Sequence, residues 1–110
     1  MIMDSDKPDI RISDVVQSTA GRDKGKLFYC VGTEGVYLLL ANGKDRTLES
    51  PKRKKLKHTR KVLRAETRVA AKIASGDKVL NSELRKDLAY HRQTMNQSNQ
   101  GGYESWQRTT

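Results

Sequence analysis

The sequence predicts a mainly β protein, in which a small antiparallel barrel is followed by two short helices and a disordered C-terminal tail. From residue 14 to residue 48, short apolar runs alternate with turn residues, and no apolar residues recur at helical spacing over a useful length. After Leu63, apolar residues recur at intervals of three and four, as along one face of a helix. The 110 residues are 35% hydrophobic, so we expect one small domain with a modest core and appendages.

The polar residues 1–11 are predicted to form a flexible arm, and residues 12–62 the barrel. A Gly-Thr-Glu-Gly segment at residues 32–35 separates the second and third apolar runs. The pair Asn42-Gly43 follows the third run and is a strong hairpin signal, because both residues tolerate positive φ. Four strands are expected at residues 15–16, 27–31, 36–41 and 46–48.

Pro51 ends the fourth predicted strand, and a basic block follows it. Eight of the thirteen residues from 52 to 64 are Lys or Arg. A block this basic cannot be buried, but Leu56 and Val62 give it apolar anchors, and we expect a short edge strand around residues 56–58. Four or five short strands in one antiparallel unit favour a closed or nearly closed barrel, because closure removes exposed sheet edges.

Residues 63–92 are predicted to hold two short helices. The first ends at Gly76, which suits the left-handed conformation at a helix C-terminus. The second has N-cap chemistry at its start and an apolar ridge formed by Leu84 and Leu88, which must pack on the barrel or on a partner. Residues 93–110 are rich in Gln, Asn, Ser, Thr and Gly, and we expect them to be disordered.

The charge of the chain favours a polyanionic partner. Twenty-two Lys and Arg residues against thirteen Asp and Glu residues give a net charge of +9, and much of the excess lies in the basic block. The one cysteine, Cys30, has strand-like neighbours and is expected to be a buried thiol. No signal-peptide core and no run of 18 apolar residues occurs, so we expect a cytoplasmic protein without a membrane partner.

The segment AGRDKGKLF, residues 20–28, resembles a phosphate-binding P-loop only superficially. The glycines Gly21 and Gly25 are one residue too close, and Leu27 stands where a Ser or Thr would have to bind magnesium. Two histidines and one cysteine form no metal-ligand pattern at the usual spacing. We therefore predict a protein without catalytic residues, metal, cofactor or small-molecule substrate.

The same segment suits the backbone of a nucleic acid. Its glycines allow a close approach of the main chain and expose amide donors, while Arg22, Lys24 and Lys26 supply positive charge. The alternative is a solvated β-turn that is merely basic.

The run from residue 52 to residue 61 supplies a second candidate surface. It could be a solvated charge block or a nuclear-import signal, but if Leu56 anchors it on the barrel its lysines line a fixed face. Tyr29, Tyr37 or His58 could then stack on a base if exposed.

Residues 15–32, VVQSTAGRDKGKLFYCVG, resemble the KOW motif, in which a loop built around Gly-x-x-x-Gly-Lys joins two strands. KOW domains form small SH3-like barrels and occur in ribosomal proteins and in transcription elongation factors. The segments at residues 35–58 and 80–88 are similar to bacterial KOW-domain RNA-binding proteins akin to an archaeal and eukaryotic large-subunit ribosomal protein. The likeness covers roughly residues 12–90.

The resemblance implies an RNA-binding protein that contacts ribosomal RNA on the large subunit of the ribosome and acts in translation. It points to the loop and to the block at residues 52–58, and the charge pattern extends that block to Lys61. The predicted RNA-binding residues are Gly21, Arg22, Asp23, Lys24, Gly25, Lys26, Lys52, Arg53, Lys54, Lys55, Lys57, His58 and Lys61.

The alternative is a transcription-associated KOW module that docks proteins or binds nucleic acid in a transcription complex. The functional surface would then be the helical segment around Leu84 and Leu88. Independently of this alternative, Tyr103 and Trp106 could form a short docking motif in the tail; the other interpretation is that they have no role. DNA binding follows from the same charges, because phosphate contacts hardly distinguish DNA from RNA.

Overall fold

A computed structural model describes residues 10–101 of the chain. Most of the predicted arm, residues 1–9, and the end of the predicted tail, residues 102–110 with Tyr103 and Trp106, lie outside the described residues. The chain forms five strands and two helices, with a 3₁₀ helix (Leu56–His58) after the fourth strand: β1 (Asp14–Ser18), β2 (Leu27–Glu34), β3 (Tyr37–Ala41), β4 (Lys52–Lys55), β5 (Thr59–Arg64), α1 (Arg68–Ser75) and α2 (Asn81–Gly101).

The five strands form one antiparallel sheet in the order β4-β3-β2-β1-β5, so the protein is mainly β, as predicted. The two edge strands follow each other along the chain and are separated by the three-residue 3₁₀ helix alone. Four residue steps span at most about 14 Å, whereas the outer strands of a flat five-stranded sheet lie about 19 Å apart. The sheet is therefore strongly curled.

The predicted closure of the barrel is not observed, because the described strands β4 and β5 are not hydrogen-bonded to each other. The 3₁₀ helix lies between their ends and bonds instead to the turn between β2 and β3 and to the loop that follows β1. The Leu56 amide donates to the Val36 carbonyl, and the His58 carbonyl accepts from the Thr19 amide. The open edge at β4 has the sequence Lys-Arg-Lys-Lys, and such charge protects an edge from pairing with other strands.

One face of the curled sheet holds its own core. Within residues 10–95, neither α1 nor α2 packs against this buried cluster, so the curl of the sheet encloses it, together with Ile10 and with Leu56 of the 3₁₀ helix. Cys30 is fully buried there, as predicted from its neighbours. The cluster consists of Val16, Phe28, Cys30, Leu38 and Leu40.

The opposite face of the sheet is covered by the two helices. Leu84 and Leu88 of α2 pack against Tyr29 and its neighbours in the sheet, which confirms that the predicted apolar ridge lies on the sheet. The Tyr29 hydroxyl donates to the Asp87 carboxylate and lies 3.0 Å from Nε2 of the buried His91. Burial raises the pKa of Tyr29, and the hydrogen bond to Asp87 raises it further. This polar cluster ties α2 to the sheet.

The helix ends follow the predicted chemistry in part. Gly76 ends α1 with a φ of 82°, as predicted. At the start of α2, Glu83 accepts from the Leu80 amide, but the side chain of Asn81 bonds to the loop that precedes β4. Helix α2 continues to Gly101, through the first nine residues of the segment predicted to be disordered. Neither helix, as far as it is described, is long and apolar enough to cross a membrane.

Three predicted elements of the barrel are wrong. Residues 46–48 are not a strand but part of the loop between β3 and β4, residues 42–51. The Oδ1 atom of Asn42 accepts from the amides of Lys44 and Arg46, so this side chain replaces strand pairing with a local turn. The tight hairpin is Gly35-Val36, between β2 and β3, rather than Asn42-Gly43. The edge strand expected at residues 56–58 is the 3₁₀ helix.

Candidate nucleic-acid interface

The β1–β2 loop, residues 19–26, is closed by its own hydrogen bonds. Gly21 and Gly25 have φ angles of 86° and 91°, which other residues rarely adopt. The amides of Lys24, Gly25 and Lys26 donate to carbonyls of residues 21, 18 and 23 respectively. These three amides do not face a ligand, contrary to the expectation that the loop exposes its amide donors. The exposed side chains of Arg22, Lys24 and Lys26 supply the charge that the loop presents to solvent.

A buried ion cluster lies beneath this loop. The Asp23 Oδ1 atom accepts from the Ser18 hydroxyl at 2.6 Å and from the Lys54 ammonium at 2.8 Å, while its Oδ2 atom lies 3.4 Å from the Lys52 ammonium. Lys54 also donates to the Ala20 carbonyl at 2.8 Å. Burial raises the pKa of Asp23, but hydrogen bonds from Lys54 and Ser18 and the charges of Lys54 and Lys52 outweigh it and lower that pKa to about 2. The cluster holds a charged pair that joins the loop to β4.

The buried position of Lys54 contradicts the expectation that no part of the basic block can be buried. Its side chain is 8% exposed, because the alternation along β4 directs it to the same face as Leu38, its partner on β3. Two of its three ammonium donors are used inside the protein. Lys54 and Asp23, both predicted to contact RNA, therefore position the loop.

The preceding residue, Arg53, lies on the opposite face of β4. Its guanidinium group is 4.3 Å from the centre of the Tyr37 ring and 3.9 Å from a carboxylate oxygen of Glu34. A ring covered in this way offers less surface for stacking on a base. Tyr29 is fully buried and cannot stack on a ligand, and His58 is half-buried in the 3₁₀ helix.

An open cleft of about 310 Å³, here named the loop cleft, lies between the β1–β2 loop, the β3–β4 loop and β4. Four cations face two carboxylates around it. The Lys26 ammonium spans the cleft to Asp45 at 2.8 Å, where both side chains are about half exposed. Arg46 was missed because the sequence pattern assigned it to a strand. The lining residues are Arg22, Asp23, Lys26, Phe28, Asp45, Arg46 and Lys52.

The predicted cations also differ in whether they form ion pairs. Arg22, Lys24, Lys55 and Lys57 are exposed, and none of them forms an ion pair with another residue of the described chain. Lys61 instead lies 3.2 Å from a carboxylate oxygen of the buried Asp14. The structure thus brings the loop and Lys52 together in one cleft and places Lys61 in a separate ion pair.

Over residues 10–95, where side chains are described, no group of three or more His, Cys, Asp or Glu side chains is placed to hold a metal ion. A scan of the chain against protein-family models finds no match, and a search of curated proteins finds none either.

Proposed function

We propose that this chain is an RNA-binding protein without catalytic activity, built on an SH3-like domain of the KOW type, which binds ribosomal RNA on or near the large subunit in translation. The observation that carries the proposal is the loop cleft. Arg22, Lys26, Arg46 and Lys52 converge there from three separate segments of the chain. Such convergence suits a phosphate group better than a scattered surface charge does.

The fold supports the KOW assignment in two ways. The loop with Gly21 and Gly25 joins two neighbouring antiparallel strands, β1 and β2, as the KOW motif implies. The five strands lie in one strongly curled sheet that encloses a core on one side, which suits an SH3-like barrel with an open edge.

The buried ion cluster explains how the loop cleft would keep its shape in the absence of RNA. Because Lys54 holds Asp23 and the Ala20 carbonyl, the loop that carries Arg22 and Lys26 has its shape before RNA binds. A preformed site loses less conformational entropy on binding than a flexible one. A bound phosphate would replace the Asp45 carboxylate as the partner of Lys26.

Binding through this cleft is expected to depend strongly on salt. Each phosphate neutralised on a single strand releases counterions and contributes about −0.7 to the slope of log K against log salt concentration. Phosphate contacts position the nucleic acid without reading its bases, so these cations should serve many RNA sequences alike.

The transcription-associated alternative, in which α2 docks a protein through Leu84 and Leu88, is disfavoured by the packing. Both leucines are buried against the sheet, at 0% and 2% exposure, and are not available to a partner. DNA binding would use the same cations, and a comparison of DNA and RNA strands of one sequence distinguishes the two.

The proposal is tested with the double variant Arg22→Gln/Arg46→Gln. The matched control, Arg68→Gln/Lys78→Gln, removes two exposed cations that do not line the loop cleft. We expect the salt slope for a single-stranded RNA fragment of large-subunit ribosomal RNA to become shallower by about 1.4 in the first variant and to stay unchanged in the control. An unchanged slope in both variants would exclude the loop cleft as the binding site.

Two further measurements separate the parts of the proposal. Tighter binding to a DNA strand of the same sequence than to the RNA would contradict the RNA preference. Ultraviolet cross-linking in cells should concentrate at one site of large-subunit ribosomal RNA, and scattered cross-links would contradict the ribosomal role.

A further inference from the structure

A second basic cleft lies on the other side of the β3–β4 loop, between that loop and α2. We name it the helix cleft. It has a volume of about 210 Å³, and it contains three cations and no carboxylate among its described lining residues. The buried Leu88 is the one apolar residue among these lining residues. The lining residues are Asn42, Lys44, Arg85, Leu88 and Arg92.

The β3–β4 loop separates the two clefts and is held against α2 by hydrogen bonds. Arg85 donates from Nη1 to the Gly43 carbonyl at 2.7 Å. Gly43 has a φ of 78°, and a Cβ atom there would clash with the backbone carbonyl of Asn81. The Asn81 side chain accepts from the Leu48 amide at 2.8 Å and donates to Glu49 at 2.9 Å. Contacts near both ends of the loop therefore hold the helix cleft in shape.

Two of the three cations of the helix cleft lie on one face of α2, and the third comes from the β3–β4 loop. Arg85 and Arg92 are seven residues apart on α2, which places them on the same helix face, about 10.5 Å apart along the axis. Lys44 approaches from the loop. It is two residues from Arg46, which lines the loop cleft, so the two clefts meet across one short turn of the chain.

Three acidic side chains on the segments that form the helix cleft already have partners. Asp87 accepts from Tyr29 on the buried side of α2, and Glu83 pairs with Lys72 at 3.3 Å. Asp45 pairs with Lys26 on the side of the loop cleft. Asp45 also accepts from the Asn42 side-chain amide at 3.4 Å. Its pKa is lowered by the hydrogen bond from Lys26 and also by the charge of Lys44, so Asp45 lies at the boundary between the two clefts. The described residues that line the helix cleft itself include no carboxylate.

We propose that the helix cleft is a second phosphate-binding site, and that an RNA strand held in the loop cleft crosses the β3–β4 loop and continues along α2. The inference rests on the proposed function and extends it. The ligand is the phosphodiester backbone, since three cations without a carboxylate among the lining residues suit a strong anion. The β3–β4 loop is the bridge between the two sites.

The test compares variants of the full chain on a 20-nucleotide single-stranded oligouridylate RNA. In Lys44→Gln/Arg92→Gln, two cations of the helix cleft are lost while the Arg85 hydrogen bond to the loop is kept. We expect the salt slope to become shallower by about 1.4. The control Arg68→Gln/Lys78→Gln and the charge-preserving Lys44→Arg/Arg92→Lys should keep the original slope. Thermal melts by circular dichroism establish that each variant is folded.

The outcomes separate this inference from the proposed function. If Arg22→Gln/Arg46→Gln lowers the slope and Lys44→Gln/Arg92→Gln does not, the loop cleft binds RNA and the helix cleft does not, which overturns the inference alone. If neither variant changes the slope, both proposals fail. If only the helix-cleft variant changes it, the helix cleft binds RNA without the continuous path and the proposed role of the loop cleft fails. Binding of polyglutamate at the helix cleft in preference to the RNA would also overturn the inference.

Discussion

Replacing Lys54 by Met removes a buried charge while keeping a side chain of similar length, and we expect it to destabilise the protein by about 2–4 kcal/mol. The ammonium group makes two hydrogen bonds of 2.8 Å, to Asp23 and to the Ala20 carbonyl. A hydrogen bond to a charged group contributes about 1.5–3 kcal/mol, and loss of one partner of a buried pair costs about 3–5 kcal/mol. Ser18 and Lys52 remain beside Asp23 and reduce the loss.

The measurement is urea unfolding at neutral pH, followed by circular dichroism. The matched control is Lys55→Met, one residue further along β4, where the side chain is exposed and the change should stay within about 0.5 kcal/mol. Adding Asp23→Asn to Lys54→Met should restore part of the loss, because an amide is cheaper to bury unpaired than a carboxylate, with a coupling of about 1–3 kcal/mol. The reasoning would be refuted if Lys54→Met cost no more than Lys55→Met.

Two more predictions concern the same loops. Because the pKa of Asp23 is lowered from 3.8 to about 2 in the folded chain, its contribution to the free energy of unfolding is fully present above the ordinary pKa and is lost as pH falls through 2. Urea unfolding between pH 5 and pH 1.5 should show the wild type converging on Asp23→Asn, and a constant difference would contradict the pKa. Gly43→Ala should lower the free energy of unfolding by more than about 2 kcal/mol, because the added Cβ meets the backbone of α2 in addition to the strain of positive φ. At Gly25 the φ is also positive, at 91°, but no atom lies near an added Cβ, so Gly25→Ala measures the cost of the positive φ alone, about 1–2 kcal/mol. If thermal melts showed the same loss of stability in both variants, the predicted clash between a Cβ at position 43 and the backbone of α2 would be contradicted.

The elements that depend on local chemistry could be predicted from the sequence. The change from short apolar runs to helical periodicity gives a sheet followed by helices, because side chains alternate in a strand and recur every three to four residues in a helix. The end of α1 at Gly76 follows from the ease with which glycine adopts a positive φ. The burial of Cys30 and of Leu84 follows from their apolar neighbours. Each of these features depends on residues that are close together in the chain.

Only the tertiary structure decided which charged side chains face solvent and which lie close to one another. Lys54 is buried with Asp23, a residue 31 positions earlier, because the register of β4 points alternate side chains inward. Arg46 enters the loop cleft because the Asn42 side chain holds residues 42–46 in a turn, whereas the sequence pattern predicted a strand that begins at Arg46. Arg92 lines the same cleft as Lys44 because α2 packs across the sheet. Strand register and helix packing are set by contacts between distant segments, and no local pattern of residues determines them.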